Sequence, residues 1–308
     1  MKVTYYPGCS LEGTALDYAD SIHGVCEPMG VELQEIPDWN CCGATAAHSI
    51  DHVASIDLPG RNLELAEKVG NPDMLVPCPL CYNRLKSAVH EIKDGGQGFR
   101  TQLSSLTPKI WDLANFFATD RMLEKIGSAA KKPLNDLKVV CYYGCMASRP
   151  PKVTGEPDYE NPQSIDRIVK TLGATSLDWA YKTECCGASL MVSRPEVGGR
   201  MVAKILDMAK RVGATAVVVS CQMCQMNLDM YQQKIEAETG KVFGLPVIYF
   251  TELIGIAAGF ERASDTLSRH FVDPIPTLGE YLGCTEPQEV SGANPELGAA
   301  GKTDSEKR

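Results

Sequence analysis

The sequence has no surplus of basic residues. Thirty Lys and Arg stand against 39 Asp and Glu, a net charge of −9. Such a chain lacks the broad basic face that nucleic acid or an anionic membrane surface requires, so nucleic acid is not an expected partner. It also lacks a long apolar run. The most apolar late stretch, "VIYFTELIGIAAGF", has 14 residues and includes Glu252, against the roughly 20 that span a bilayer. The opening "MKVTYYPGCS" has no apolar core, so neither a signal peptide nor a transmembrane segment is expected. These absences point to a cytoplasmic chain. Two nucleotide-binding loops are missing as well: no G-x-G-x-x-G follows a strand, and there is no G-x-x-x-x-G-K-[ST]. Neither flavin nor nicotinamide is therefore expected in this chain.

What is present begins with a sizeable core. The chain has 308 residues, 44% of them hydrophobic and 22% charged, which suits one large or two ordinary globular domains. It also has thirteen cysteines. In a reducing compartment disulfides do not persist, so a crowd of cysteines points to metal binding or catalysis.

Self-similarity organises them. "YYPGCS" around Cys9 matches "YYGCMAS" around Cys145, and "DWNCCGA" matches "TECCGAS". "DMLVPCPLCYNRL" matches "AVVVSCQMCQMNL", and "PKIWDLANFFA" matches "PVIYFTELIGIAAG". The halves read C-x31-CC-x35-C-x-x-C and C-x39-CC-x34-C-x-x-C. This assigns residues 1–118 to a first half, 119–136 to a linker and 137–262 to a second half. Residues 263–308 form an extension whose Gly-, Pro- and charge-rich end is expected to be disordered. The extra residues of the second half fall in "RPPKVTGEPDYENPQ", whose four prolines suggest a surface loop.

Local patterns place the cysteines. "KVTYY", "VELQEI" and "MLVP" read as strands, as do "KVVCYY" and "AVVVS". Helical patterns follow in "CYNRLKSAVHEI" and "CQMNLDMYQQKIEAE", and another helix lies between each Cys-Cys pair and its C-x-x-C. Strand and helix alternate, so the expected fold is α/β: two similar halves, each a small, mostly parallel sheet with flanking helices, related by a pseudo-twofold duplication. In such sheets ligands gather beyond the carboxyl ends of the strands, where all ten patterned cysteines fall.

Five thiols per half exceed the four ligands of a structural zinc site or an ordinary cubane iron–sulfur cluster. A bulky multi-iron cluster suits the count best; zinc and redox-active dithiols are the other readings of the same spacing. Gly43 and Gly187 supply the bend that lets adjacent cysteines reach one centre.

This duplicated pattern resembles the CCG-domain proteins, and the chain as a whole resembles the B subunit of heterodisulfide reductase. The resemblance covers nearly all of residues 1–260 and every patterned cysteine. It implies two CCG half-domains and two non-cubane [4Fe-4S] clusters. Cys9, Cys41, Cys42, Cys78 and Cys81 would hold one cluster; Cys145, Cys185, Cys186, Cys221 and Cys224 would hold the other. It implies a disulfide oxidoreductase working within a complex, its small-molecule or protein-bound disulfide split between the clusters. The implied partners in that complex are a C-like iron–sulfur protein and an A-like flavin-bearing protein. Related CCG domains also serve dehydrogenase complexes without cleaving disulfides, so an electron-transfer subunit is the alternative, and a zinc-stabilised structural subunit is a third.

Other residues carry weaker signals. Cys26, Cys141 and Cys284 lie outside the pattern and read as small buried hydrophobes. His23 and His48 read as hydrogen-bonded structural residues, with ligand or proton-donor roles as the alternative. Arg61 and Arg200 open corresponding helices and read as solvated surface residues that could also offset cluster charge. Met223, inside a C-x-x-C, reads as core.

Overall fold

Strand-forming runs recur in the same order twice, and each set builds one sheet. The computed structural model describes residues 1–283, so the expected disordered end and Cys284 lie outside the described residues. In the first half the strands are β1 (Lys2–Tyr5), β2 (Glu32–Glu35), β3 (Asp73–Val76) and β4 (Lys109–Asp112). In the second they are β5 (Lys138–Tyr142), β6 (Thr175–Ser176), β7 (Ala216–Val219) and β8 (Val247–Tyr249). The sheet orders correspond, β2-β1-β3-β4 and β6-β5-β7-β8. The sequence leads one to expect mostly parallel sheets; among the described residues every strand pair is parallel. Central β7 is buried throughout, as its "AVVV" run requires, whereas edge strand β2 is largely exposed.

Helices cover the sheets. His52–Val69 starts at Asp51, whose side chain accepts from the Ala54 amide, and stops at Gly70 in the left-handed region. Pro79–Lys93 and Pro195–Arg211 both begin with proline, whose missing N–H is no loss in a first turn. The single helix expected from Cys224 onward is instead two, Gln222–Asp229 and Gln232–Thr239. The Gln232 side-chain amide takes the Leu228 carbonyl at 2.8 Å, the acceptor that a continuing helix would have given to a backbone N–H. The segment joining the halves carries its own helix, Asp120–Ala129, with Met122 and Ile126 buried.

The halves share one core, beside a second cluster around Tyr6, Leu63, Val76 and Leu85 that stays within the first half. A single apolar cluster runs from Val3, Tyr5 and Phe117 to Val217, Val247 and Phe250. The helix Leu16–Cys26 lies against the wholly buried helix Phe250–Ala258. There Tyr18 stacks on Tyr249 with ring centroids 4.0 Å apart, and its hydroxyl donates to the Ser220 carbonyl at 2.9 Å. Ser21 and Thr251 hydroxyls meet at 2.7 Å.

A chain segment beyond the second sheet closes this interface. His270, with no side-chain exposure, bonds Glu252 at 2.9 Å through Nε2. Thr266 donates to the same carboxylate, and Asp229 lies 3.9 Å from the ring. Burial opposes a charge on His270, but Glu252 and Asp229 overcome it and raise the pKa from 6.5 to about 9. A raised histidine pKa stabilises the fold fully below the unfolded value and loses that contribution as pH rises through the folded value. The stability gap between wild type and His270→Gln should therefore narrow from pH 6.5 to pH 9, by at most about 3 kcal/mol. Chemical denaturation at several pH values above 6 checks this, and a gap independent of pH would show that His270 is neutral in the fold.

Candidate functional site

Parallel strands end at one edge of their sheet, and three loops from each half meet there. In the first half the loop after β1 carries Cys9, the loop after β2 carries Cys41 and Cys42, the loop after β3 carries Cys78, and the first turn of the helix Pro79–Lys93 carries Cys81. Sγ of Cys9 and Cys41 lie 3.9 Å apart, and those of Cys42 and Cys81 lie 3.2 Å apart. Cys78 caps the helix Pro79–Lys93, its sulfur accepting from the Cys81 amide at 3.5 Å. In the second half Cys186 and Cys224 lie 3.6 Å apart. All these cysteines are free thiols, and their spacings exceed the roughly 2.05 Å of a disulfide. The structure thus sets Cys9 beside Cys41, Cys42 beside Cys81 and Cys186 beside Cys224. Among the described residues no three His, Cys, Asp or Glu side chains converge as around a single metal ion.

Glycines make the crowding possible. Gly8 (φ +76) and Gly144 (φ +65) are left-handed, and a Cβ on either would stand 2.9 Å from Sγ of Cys81 or Cys224. Gly43 and Gly187, also left-handed, turn their amides onto Cys41 and Cys185 at 3.5 and 3.3 Å. This is the bend that the two Cys-Cys-Gly sequences predict.

A pair of tyrosines fixes the Cys-Cys loops. The Tyr6 hydroxyl donates to the Asn40 carbonyl at 2.8 Å, and the Tyr142 hydroxyl donates to the Glu184 carbonyl at 2.6 Å. Each accepting residue immediately precedes a Cys-Cys pair. Sequence reasoning overlooked this role, although the aligned "YYPGC" and "YYGC" held the signal. Arg61, read as a solvated residue, donates to the Asp38 carbonyl and to Asn40 Oδ1 at 2.9 Å, and so braces the loop before Cys41. In the second half Asn227 braces the loop instead, donating to the carbonyls of Cys186 and Ala188 at 3.2 and 3.0 Å. A cavity of about 740 Å³ borders the first loop at Asp38, Trp39 and Asn40 but is lined by none of the ten cysteines.

The sulfurs compete for protons. Hydrogen bonding with Cys81 is the main cause that lowers Cys78 to about 7, against the effect of burial. Cys145 likewise lowers Cys185 to about 6. Cys42 and Cys186 are lowered by Cys81 and Cys224, whose own values rise for the same reason. Burial and Cys41 raise Cys9 to about 11. Within each centre some thiols are thus drawn toward ionisation at the expense of their neighbours. Full ionisation of five neighbouring sulfurs requires strong positive charge among them, which is the donor chemistry that a metal cluster suits.

The remaining candidates stand apart. Cys26 is buried, and burial raises its pKa to about 12. Cys141 lies within β5 and faces Ser176 Oγ at 3.4 Å. His23 packs edge-on to Tyr5, and burial lowers its pKa. His48 lies on the exposed short helix Ala47–Ile50, Arg200 is exposed, and Met223 packs against the core as expected. Among the described residues no hydrogen bond joins any of these to the ten sulfurs.

The halves also touch at the sites themselves. Gln222 Nε2 reaches Cys78 Sγ at 2.9 Å. Asn83 donates to the carbonyls of Met146 and Arg149 at 3.1 and 2.8 Å, and the Tyr82 hydroxyl donates to the Thr154 carbonyl at 3.0 Å. The proline-rich insertion of the second half is thus laid, at Thr154, against the C-x-x-C helix of the first.

Fold and site together define a duplicated α/β protein with one thiol-rich centre per half, each at the carboxyl edge of its sheet. The cysteine-rich domain termed CCG matches twice, over residues 3–86 and 139–229, and the chain belongs to that family. The 8-methylmenaquinol:fumarate reductase membrane anchor subunit of Wolinella succinogenes is 32% identical over 283 residues, 88% of this chain and 97% of that one. The B subunit of a ferredoxin/F(420)H(2)-dependent CoB-CoM heterodisulfide reductase from Methanosarcina acetivorans is 27% identical over 91% of this chain and 96% of its own. Among solved structures, a hypothetical protein from Helicobacter pylori shares the fold with a TM-score of 0.62 at 12% identity, over 88% of this chain and 52% of that one. The chain spans about half the length of that structure. The two named relatives are both subunits of reductases. One is named a membrane anchor, yet no helix among the described residues here is long and apolar enough to cross a membrane.

Proposed function

We propose that each half binds one non-cubane [4Fe-4S] cluster on its five cysteines, and that the chain is the disulfide-reducing subunit of a multi-subunit reductase. The observation that carries the reading is the repetition of a complete thiol set, with matching glycine and tyrosine supports, in both halves. Cys9, Cys41, Cys42, Cys78 and Cys81 would hold the first cluster; Cys145, Cys185, Cys186, Cys221 and Cys224 the second. When bound there, an iron–sulfur cluster supplies one-electron chemistry at iron. The chain's own residues position it: the tyrosines fix the Cys-Cys loops, the glycines give the sulfurs room, and the thiols give up protons as they become ligands. Cleavage of a disulfide consumes two electrons and two protons and yields two thiols. The electrons would come from an iron–sulfur partner, fed in turn by a flavin-bearing one further upstream.

The Wolinella relative favours a second reading, in which the chain passes electrons within a fumarate-reducing complex and splits no disulfide. Metal content tests what the readings share. Anaerobically purified protein should contain about eight irons with equal sulfide. Stoichiometric zinc without sulfide would sink both readings. Turnover of a disulfide with a one-electron donor separates them.

A further inference from the structure

The two sulfur sets correspond cysteine for cysteine, but the residues between them do not. Gln222 follows the first cysteine of the second C-x-x-C, where the first has Pro79. Proline offers no donor. Gln222 is only 4% exposed, and its Nε2 lies 2.9 Å from Sγ of Cys78, in the opposite half. Cys78 thus accepts from two N–H groups, Gln222 and the Cys81 amide. Its counterpart Cys221 receives no donor from the opposite half among the described residues, and it caps its helix without a side-chain hydrogen bond. The contact leaves Gln222 Oε1 buried without a partner, a desolvation cost that a purely packing residue would avoid. A thiolate has lone pairs and no proton, so it favours the N–H edge of the amide that faces it.

We propose that Gln222 is a positioning residue for the N-terminal centre, and that its hydrogen bond sets that centre at a higher reduction potential than the C-terminal one. This rests on the reading that each half holds a redox-active iron–sulfur centre. A donor to a ligand sulfur withdraws electron density and favours the reduced form, and burial strengthens the effect. The duplicated protein is thereby made electrically asymmetric: an added electron settles first in the N-terminal half.

The test is a dithionite titration of the intact chain, each centre taking one electron, with both followed by electron paramagnetic resonance. A Cys186→Ser sample assigns the N-terminal signal. In Gln222→Leu, which keeps the bulk and removes the donor, the reduction equilibrium of the N-terminal centre should fall about tenfold, about 59 mV for one electron. Gln222→Glu, which turns a carboxylate toward the sulfur, should lower it further. The C-terminal potential and the iron content should stay at their wild-type values in both. Unmoved potentials with iron and sulfide in place would overturn the assignment alone, as would equal shifts at both centres. Loss of the N-terminal centre in Gln222→Leu, Gln222→Glu and Gln222→Met alike would show that Gln222 is structural and overturn it too. Zinc without sulfide in the wild type would remove the underlying reading and this assignment together.

Discussion

Replacing Cys42 by Ser, or Cys186 by Ser, should each abolish disulfide reduction while leaving the centre of the other half spectroscopically visible. Cys42 lies 3.2 Å from Cys81, and Cys186 lies 3.6 Å from Cys224, so each substitution removes one member of a close sulfur pair. A serine hydroxyl is a poorer ligand than a thiolate and ionises far less readily. The opposite set is untouched, because all five of its sulfurs come from its own half. A disulfide has two sulfurs, and clean two-electron cleavage must account for both, so one surviving centre is not enough. Turnover with an artificial one-electron donor should fall below about 1% of wild type, a larger loss than the 10–100-fold of a residue that only orients a ligand. Iron should fall by about half in each variant. If either variant turns over disulfide at a near wild-type rate with half the iron, two-centre cleavage is wrong, and the electron-transfer reading takes its place.

The fold was legible in the sequence because the chain repeats itself. A period of more than a hundred residues, marked by paired cysteines, exposed the two halves, and buried runs such as "AVVV" and "MLV" sit in the central strands. The break near Met230 was not legible, because a glutamine side chain two residues later replaces a backbone donor without disturbing the apolar period. Nor was the helix Asp120–Ala129, whose two buried residues, Met122 and Ile126, sit among charged neighbours.

The site shows the same division. Cysteine identity and spacing named the members proposed for each set, because chemistry selects the residue type. The supports are commoner residues whose roles arise only in three dimensions. Tyr6 and Tyr142 reach carbonyls 34 and 42 residues away. Gln222 reaches a cysteine 144 residues away, across an interface that no local pattern encodes. Arg61, expected to open a helix, lies inside the helix His52–Val69, and its role emerged only once the loop it braces was placed beside it.

Gly8→Ala should cost the protein its N-terminal centre, and Gly144→Ala its C-terminal one, without unfolding either. Both glycines are left-handed, at φ +76 and +65, where an alanine costs about 1–2 kcal/mol. That alone a folded domain tolerates. The added Cβ also meets Sγ of Cys81 or Cys224 at 2.9 Å. The sulfur can escape by turning about its Cα–Cβ bond, which is cheap for the fold. The same turn carries it away from Cys42 or Cys186 and dismantles the ligand set. Gly70 and Gly213 separate the two effects, since they have φ +81 and +84 with nothing within 4 Å of an added Cβ. Alanine at either should lower stability by about the same 1–2 kcal/mol and leave the metal in place. The measurement is iron and sulfide per chain beside a denaturation curve for all four variants. Gly8→Ala and Gly144→Ala should each retain about half the wild-type iron, while Gly70→Ala and Gly213→Ala retain all of it. Full iron in Gly8→Ala would mean that Cys81 is not a ligand. Equal losses in Gly70→Ala would mean that backbone strain, not sulfur position, controls assembly.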